Sequence, residues 1–360
     1  MTPLFTGDGA TALIGSMPLS DHAEALDHVF SHSPDIPSWV QLPRFSKEGM
    51  IPQFAPGLPG LLEKDGDFFV DSDSQGFSEA LTAFYEDYLA VAEGGEFPEN
   101  SRFALSPDSA EGFFLFLKRL SDPPQKPKAA KGQVTGPITL TTGIKDQTGR
   151  AIFYDPQLRD AAVKMLSMKA VWQTRRLLEA SGGAPVIVFL DEPSLAGFGT
   201  SEHIAMSREE TLECLKEVAG AVSAAGGIPG VHVCANTDWS IVLESGAVIV
   251  NFDAYAYFDR FVIYADSIKT FMESGGILAW GIVPTLRPED IEKETARSLA
   301  ESWMARAAQI EKTGLSRAAV LSGSLITPSC GTGSLEPAQA LKVLELTRDV
   351  SKIIQNDYLD

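Results

Sequence analysis

Short apolar segments alternate with long amphipathic segments along the chain from residue 130 onward. The apolar segments have the length of buried strands, whereas the amphipathic segments repeat apolar residues at the spacing of a helix face. Strands separated by single helices form right-handed βαβ units, so the pattern predicts a parallel sheet covered by helices. The predicted strands lie at residues 132–137, 184–193, 230–236, 247–255, 275–283 and 318–325, and the predicted helices at 155–182, 207–227 and 287–314.

The first third of the chain contributes further strands to this pattern. Apolar segments at residues 11–16, 36–42 and 101–106 raise the count to eight or nine. This number favours an α/β fold of the (β/α)8 TIM-barrel type, which commonly needs about 250 residues or more. An open, doubly wound sheet is the alternative. However, no GxGxxG or GxxxxGKS/T motif follows a predicted strand, so the usual nucleotide chemistry of that fold has no signature here.

One region interrupts the regular alternation. Residues 43–100 are rich in Pro and Gly, and residues 121–132 have the composition of a solvated connector. We therefore expect loop-rich insertions over residues 43–130, with long loops and a short hairpin folded over one end of the barrel. No shift in composition marks a domain boundary, so residues 1–360 are predicted to form a single TIM-barrel domain.

The net charge of −19 restricts the partners of the protein. Nonspecific attraction to nucleic acid or to anionic lipid headgroups needs clustered Lys and Arg, so neither partner is expected. No stretch approaches the roughly 18 apolar residues that span a bilayer, and the N-terminus lacks the basic and apolar regions of a signal peptide. The three cysteines leave at least one thiol unpaired, which fits a reducing compartment. We expect a soluble, cytoplasmic protein.

Polar residues are concentrated where the predicted strands end. In a barrel of parallel strands the active site lies at these C-terminal ends, where the loops to the helices begin. Side chains that are remote in sequence therefore converge there. The candidates are Ser16, Asp191, Glu192, His232, Cys234, Asp253 and Cys330.

The segment "GVHVCAN" at residues 230–236 suggests a metal site. His232 and Cys234 are two residues apart on a predicted strand, so their side chains share one face. Cys330 follows another predicted strand, and a histidine with two cysteines is a ligand set that suits zinc. The alternative is core packing, because a buried Cys beside a strand His often has no other role. Core packing explains less well a cysteine in the Gly-, Ser- and Thr-rich loop "ITPSCGTGS".

Two neighbouring carboxylates end the strand in "FLDEPSL". Asp191 and Glu192 alternate in direction, so one is expected to bind a ligand while the other caps the next segment or forms a salt bridge. The alternative is that Asp191 only caps the following turn.

The remaining histidines and cysteines carry no role in this prediction. His22, His28 and His32 do not fall on one helix face at a compact spacing, so they are expected to be surface residues. Cys214 lies inside a predicted helix and is expected to pack there.

Six segments, in this order, resemble the catalytic barrel of cobalamin-independent methionine synthases and of the related methylcobamide:thiol methyltransferases, within the uroporphyrinogen decarboxylase-like superfamily. The resemblance extends from residue 11 to about residue 350 and is thin between residues 40 and 130. The segments that carry it are "IGSMP", "GQVTGPITL", "FLDEPSL", "GVHVCAN", "AVIVNFD" and "TPSCGTGS".

The resemblance implies a zinc enzyme. It implies that His232, Cys234 and Cys330 hold zinc, and Asp253 stands where the synthases have a glutamate ligand, to bind zinc or to support it. Ser16 and Asp191 match positions that hold the carboxylate and the amino group of homocysteine. The synthases' "HGE" element, which supplies a second ligand for that amino group, has no counterpart here.

Two departures concern the methyl donor. The synthases stack an indole on the folate, and Gly143 stands at that position here. They protonate the folate nitrogen with a histidine, and Leu286 stands at that position. Methyl-tetrahydrofolate needs this general acid, whereas methyl-cobalt(III) expels cobalt(I) without a proton. We therefore expect methyl transfer from a methylated corrinoid, free or carried on a partner protein, to a zinc-bound thiol, with homocysteine as the favoured acceptor and methionine as the product.

Three other functions remain open at this point. One is a metal-free tetrapyrrole decarboxylase, although "IGSMPLSDH" offers none of the arginines that such enzymes use near the first strand. The second is a corrinoid- or thiol-binding protein without turnover. The third is a folate-dependent methionine synthase core. The sequence does not determine the oligomeric state, and a homodimer is compatible with it.

Overall fold

The computed structural model describes residues 5–200 and 205–358. Its strands are β1 (Ala10–Thr11), β2 (Leu61–Lys64), β3 (Asp67–Val70), β4 (Ala130–Thr135), β5 (Lys145–Asp146), β6 (Val186–Asp191), β7 (Ile228–Val233), β8 (Ile249–Phe252), β9 (Ile277–Val283) and β10 (Ser324–Pro328). Its helices are α1 (His22–His32), α2 (Met50–Phe54), α3 (Phe77–Ala92), α4 (Glu111–Leu120), α5 (Pro137–Gly143), α6 (Pro156–Ala180), α7 (Arg208–Ala224), α8 (Trp239–Leu243), α9 (Ala254–Phe261), α10 (Ala265–Glu273), α11 (Pro288–Lys293), α12 (Ala296–Glu311), α13 (Arg317–Ser322) and α14 (Pro337–Asp357).

Seven parallel strands form the central sheet, in the order β1-β10-β9-β8-β7-β6-β4. The register places Asp191 opposite His232 on the next strand, and His232 opposite Asn251 on the one after. The α/β fold with a parallel sheet is therefore confirmed. Because all seven strands run the same way, their C-terminal ends lie at one end of the sheet.

The predicted eighth strand at residues 36–42 is not a regular strand. Single bridges join Ser38 to Lys131 on β4 and Gln41 to Ser16 just beyond β1. The same segment thus touches both edge regions of the sheet, so the sheet is curled, but regular strand pairing does not close it. Pro37 has no N–H to donate to a ladder, which accounts for the broken pairing.

Three other predicted elements are wrong in place or type. Residues 101–106 form no strand, and Phe103 and Leu105 are instead buried in the core beneath the helices. Residues 318–325 fall mostly in helix α13, and the strand itself is β10. The predicted helix at 287–314 is two helices, because Thr295 caps the N-terminus of α12 and interrupts it.

The predicted insertions at residues 43–130 contain both a hairpin and helices. Strands β2 and β3 form the expected hairpin around Asp65 and Gly66, which have φ values of 55° and 89°. Such positive φ values are those of a tight hairpin turn. The hairpin pairs with β5, so it lies beside the loop that follows β4. The expectation of long loops was only partly right, because helices α2, α3 and α4 fall in the same region.

Two apolar cores stabilise the fold. The larger core lies between the sheet and the helices. The smaller one fills the inside of the curled sheet, which we call the lumen, and consists mainly of aliphatic side chains that include Ala12, Ile187, Ile249 and Leu325. Within the described ranges, no helix is both long and apolar enough to cross a membrane.

Two of the three N-terminal histidines are buried, contrary to the expectation from sequence. His22 and His32 are 5% and 9% exposed. The Nε2 atom of His22 lies 2.7 Å from Oε1 of Glu48, which is itself buried. The prediction failed because Glu48, which gives the ring a polar partner, comes from a distant loop.

Candidate metal centre

Three side chains converge at the C-terminal end of the sheet. Ligand atoms of His232, Cys234 and Cys330 all lie within 4.8 Å of one another. His232 is the penultimate residue of β7, Cys234 follows that strand, and Cys330 lies in the loop after β10. These are the residues that the sequence predicts as a zinc site. Their atoms are close enough together for one metal ion to contact all three.

Hydrogen bonds to Ser16 position the loop that carries Cys330. The backbone N and Oγ1 of Thr332 both donate to the carbonyl oxygen of Ser16, each at 3.0 Å. The N–H of Gly333 donates to Oγ of Ser16 at 3.3 Å. A Cβ atom on Gly331 would lie 2.0 Å from that Oγ atom, so only glycine allows this close approach. Ser16 therefore lies beside the cysteine loop, and its predicted contact with a substrate carboxylate stays a prediction.

Asn251 on β8 orients the imidazole of His232. Its Nδ2 atom donates to the carbonyl oxygen of Ala279 and to Oγ1 of Thr327, both at 2.8 Å. The amide oxygen of Asn251 must then face Nδ1 of His232, which donates to it. The proton is thus on Nδ1, and Nε2 is the nitrogen that faces Cys234 and that could bind a metal. Such a support for a ligating histidine fixes its tautomer and ring orientation.

The two sulfur atoms of the cluster share a proton. The hydrogen bond with Cys330 lowers the pKa of Cys234, against the opposing effect of burial. The same hydrogen bond, with burial, raises the pKa of Cys330. Burial lowers the pKa of His232, but the hydrogen bond and charge of Cys234 outweigh it and raise that pKa. Cys234 is therefore the thiolate of the pair, and a bound cation would stabilise both sulfurs in that form.

Asp191 has one carboxylate oxygen that is buried and unpaired. This atom, Oδ1, has no hydrogen-bond partner among the described residues, and the residue as a whole is partly buried. Burial, opposed by the charges of His232 and Lys131, raises the pKa of Asp191 to about 6. The side chain therefore does not cap the following turn, which was the alternative. A buried polar atom without a partner is costly, so it marks a place where a ligand can bind.

Glu192 caps a helix, as predicted for one of the two carboxylates, but the helix is α5, which precedes it in the chain, and not the segment that follows. Its carboxylate accepts hydrogen bonds from the backbone N atoms of Ile138 and Thr139, at 2.9 and 2.8 Å, and from Oγ1 of Thr139 at 2.7 Å. These donors lie at the start of α5. The side chains of Asp191 and Glu192 therefore point in opposite directions. Glu192 caps a helix, whereas Asp191 faces the site.

Asp253 lies near the cluster but outside the group of three close ligands. Its Oδ1 atom accepts a hydrogen bond from the backbone N of Ala256 at 2.8 Å, so the side chain caps helix α9. Burial, with the charge of Cys234, raises the pKa of Asp253 to about 6. Its coordination of zinc stays a prediction.

Two features of the site could not be named from the sequence. Asn251 and Lys131 are both fully buried polar residues on strands. Asn251 is the single polar position of β8, whereas Lys131 falls in residues 121–132, which were wrongly predicted as a solvated connector, because β4 begins at Ala130. The hydrogen-bond partners of these two side chains come largely from other segments of the chain.

No protein-family model and no curated protein matches this chain. Among solved structures, it is similar to a methyltransferase from Methanosarcina mazei, with a TM-score of 0.50 and 12% sequence identity. The alignment covers 97% of this chain and 94% of that chain. The two proteins therefore share a fold over nearly their whole lengths. At this identity the similarity concerns the fold alone.

Proposed function

We propose that this protein is a zinc-dependent methyltransferase that moves a methyl group from a methylated corrinoid to a thiol. The observation that carries the proposal is the convergence of His232, Cys234 and Cys330 within 4.8 Å. A nitrogen and two sulfur ligands suit zinc and leave a fourth position open, which is the arrangement of catalytic zinc sites. The structural similarity to a methyltransferase supports methyl transfer in general.

The donor set fits zinc in its details as well as in its residue types. His232 presents Nε2 because Asn251 accepts from Nδ1, and Cys234 is already stabilised as a thiolate. Zinc bound there would supply the positive charge that lets an acceptor thiol lose its proton near neutral pH, where a free thiol is mostly protonated. The protein contributes the orientation of the ligands.

The proposed reaction is a displacement at the methyl carbon. The acceptor thiol loses its proton, and its sulfur forms a bond to that carbon. The bond from carbon to cobalt(III) breaks with both electrons remaining on the metal, so the corrinoid leaves as cobalt(I). The products are a thioether and a proton. No general acid is required at the leaving group.

The unpaired carboxylate of Asp191 supports an acceptor that carries an ammonium group. Its Oδ1 atom is buried near the cluster without a partner, and an ammonium group would supply both the missing hydrogen bond and a countercharge. An acceptor that placed an anionic group beside the Asp191 carboxylate would instead be repelled. Homocysteine carries the required thiol and ammonium, so methionine is the proposed product.

Two residues support a corrinoid rather than a folate as the donor. A Cβ atom on Gly143 would lie 2.7 Å from Cδ1 of Ile51, so helix α2 occupies the space into which a side chain at position 143 would extend. Leu286 is 78% exposed and has no group that could protonate a leaving nitrogen. Neither position therefore offers the stacking surface or the acid that folate chemistry needs.

A matrix of donors and acceptors tests this proposal. Zinc-replete protein is incubated with methylcobalamin or methyl-tetrahydrofolate as donor, and with homocysteine or 2-mercaptoethanol as acceptor. We expect methionine from methylcobalamin and homocysteine, with much slower methylation of 2-mercaptoethanol. Methionine formed only from the folate would contradict the donor assignment. No transfer from either donor would favour a decarboxylase or a binding protein without turnover.

A further inference from the structure

Lys131 places a positive charge in the lumen, opposite Ile187 on the strand that ends in Asp191. It lies on β4 and is completely buried. The lumen core includes apolar side chains such as Ala12, Ile187 and Leu325. Burying a lysine in such surroundings is costly, and an apolar residue of similar size would pack there at lower cost. The fold alone therefore gives no reason for this lysine.

All the direct partners of the Lys131 ammonium are neutral. Its Nζ atom donates to the carbonyl oxygen of Ile14 at 2.7 Å and to Oε1 of Gln133 at 3.3 Å. It also lies 4.6 Å from the centre of the Phe189 ring. The group is well anchored, yet no carboxylate neutralises it through a hydrogen bond. It is thus a fixed cation rather than a group that waits for a ligand.

The nearest features with negative charge belong to the site. Phe189 precedes Asp191 by two residues on β6, so both side chains point to the same side of that strand. Asp191 is also the one charged group that stabilises the protonated form of Lys131. Burial lowers the pKa of Lys131 to about 8, so the ammonium is still charged at pH 7.

Acceptor binding would add negative charge above this cation. Two cysteinates balance the two positive charges of a zinc ion, and an acceptor bound as a thiolate leaves one negative charge in excess. A neutral ligand in the same position adds none. In surroundings of low polarity, an unbalanced charge is costly unless a countercharge lies close to it.

We propose that Lys131 is a positioning residue whose buried positive charge favours the binding of the acceptor as a thiolate over the binding of a neutral ligand. This inference rests on the proposed function, because it assumes a metal ion held by His232, Cys234 and Cys330. It assigns to the lysine an electrostatic role at a distance. It requires no contact between Lys131 and the substrate.

The test compares two buried lysines. Lys169 on α6 is buried to a similar degree, but its Nζ atom contacts only the carbonyl oxygen of Arg102, at 3.3 Å, outside the lumen. The variants Lys131→Met and Lys169→Met therefore remove the same group from two places. Each protein is loaded with Co(II), whose absorption reports the fourth ligand, and is titrated at pH 7 with 2-mercaptoethanol and with imidazole.

We expect Lys131→Met to bind 2-mercaptoethanol about tenfold more weakly than the wild type. Imidazole binding should be unchanged, because this ligand adds no charge. Lys169→Met should bind both ligands as the wild type does. Should Lys131→Met fail to fold, Lys131→Gln removes the charge but keeps a donor for Ile14. Lys131→Arg retains the charge and should restore thiol affinity.

The outcomes separate this inference from the proposed function. If the wild type binds Co(II) and 2-mercaptoethanol, and Lys131→Met binds the thiol equally well, the electrostatic role is wrong while the metal centre stands. An equal loss of affinity for thiol and imidazole would show a merely structural role and would also overturn the inference. A wild type that binds no metal would overturn the proposed function together with this inference.

Discussion

The amide oxygen of Asn251 accepts a hydrogen bond from Nδ1 of His232, while the amide nitrogen of Asn251 donates to Ala279 and Thr327. One side chain on β8 thereby connects strands β7, β9 and β10. The orientation of the imidazole is consequently set by the sheet itself and does not depend on a bound metal. A centre built in this way is pre-organised, because the histidine need not lose freedom when the metal binds.

Asn251→Leu should weaken zinc binding by about 10- to 100-fold, as expected when the support of a ligating histidine is lost. Asn251→Asp keeps an acceptor for the Nδ1 proton and should retain most of the affinity. Competition with a chromogenic chelator measures both variants. Equal zinc affinity in the wild type and Asn251→Leu would show that the imidazole needs no such support.

Asp191→Asn should raise the KM for homocysteine and leave the zinc content unchanged. The amide has no charge to pair with the ammonium of the acceptor, and Asp191 is not among the three close ligands. 2-Mercaptoethanol, which has no amino group, serves as the control substrate, and its KM should not rise. If both thiols respond equally, Asp191 does not recognise an ammonium group.

Lys169→Met should alter how stability depends on alkaline pH. Burial lowers the pKa of Lys169 to about 8 in the folded protein, against an ordinary value of 10.5 in an unfolded chain. Between these values the unfolded chain binds more protons, so the free energy of unfolding of the wild type should rise with pH. The full effect is about 2 to 3 kcal/mol.

Urea unfolding of both proteins at pH 7 and at pH 10 measures this difference. The wild type should gain stability over that interval relative to Lys169→Met, because methionine has no proton to lose. The difference between the free energies of unfolding of the two proteins removes the contribution of the titratable groups that both proteins contain. A constant difference between the two proteins across this interval would contradict the prediction.

Gly143→Trp should destabilise the fold by about 1 to 3 kcal/mol, which is the usual cost of overpacking. Any side chain at this position meets Ile51, with 2.7 Å between the added Cβ and Cδ1 of that residue. The double variant Gly143→Trp with Ile51→Ala should recover part of the loss. If Gly143→Trp were as stable in urea as the wild type, Ile51 could move aside at little cost. Position 143 could then carry an indole that stacks on a folate.

The sequence predicted much of the central sheet well because several of its strands, such as β6 and β9, are largely apolar runs followed by a helix. Residues 186–191, 228–233 and 277–283 are fully paired strands inside or overlapping the predicted segments. The pattern failed where one feature overrode it. Pro37 disrupts the pairing of the predicted strand at residues 36–42. Thr295 divides a continuous amphipathic stretch into two helices.

The sequence also predicted which residues would meet at the site, but only in part how they are held. His232, Cys234 and Cys330 are conspicuous because their chemistry is distinctive and each follows or ends a strand. Asn251 and Lys131 are common residue types whose partners come from other strands, so no local pattern identifies them. For Asp253 the difficulty is different. It is conspicuous in the sequence, but an aspartate that caps a helix cannot be told there from one that binds a metal.

The zinc content of the purified protein tests the central claim most directly. Cys330→Ala removes one ligand, and Cys214→Ala serves as the control, because Cys214 is buried in α7 as predicted and is not part of the cluster. We predict about one zinc per chain in the wild type and in Cys214→Ala, with a large loss in Cys330→Ala that remains folded. Equal zinc content in all three proteins, or none in the wild type, would contradict the account.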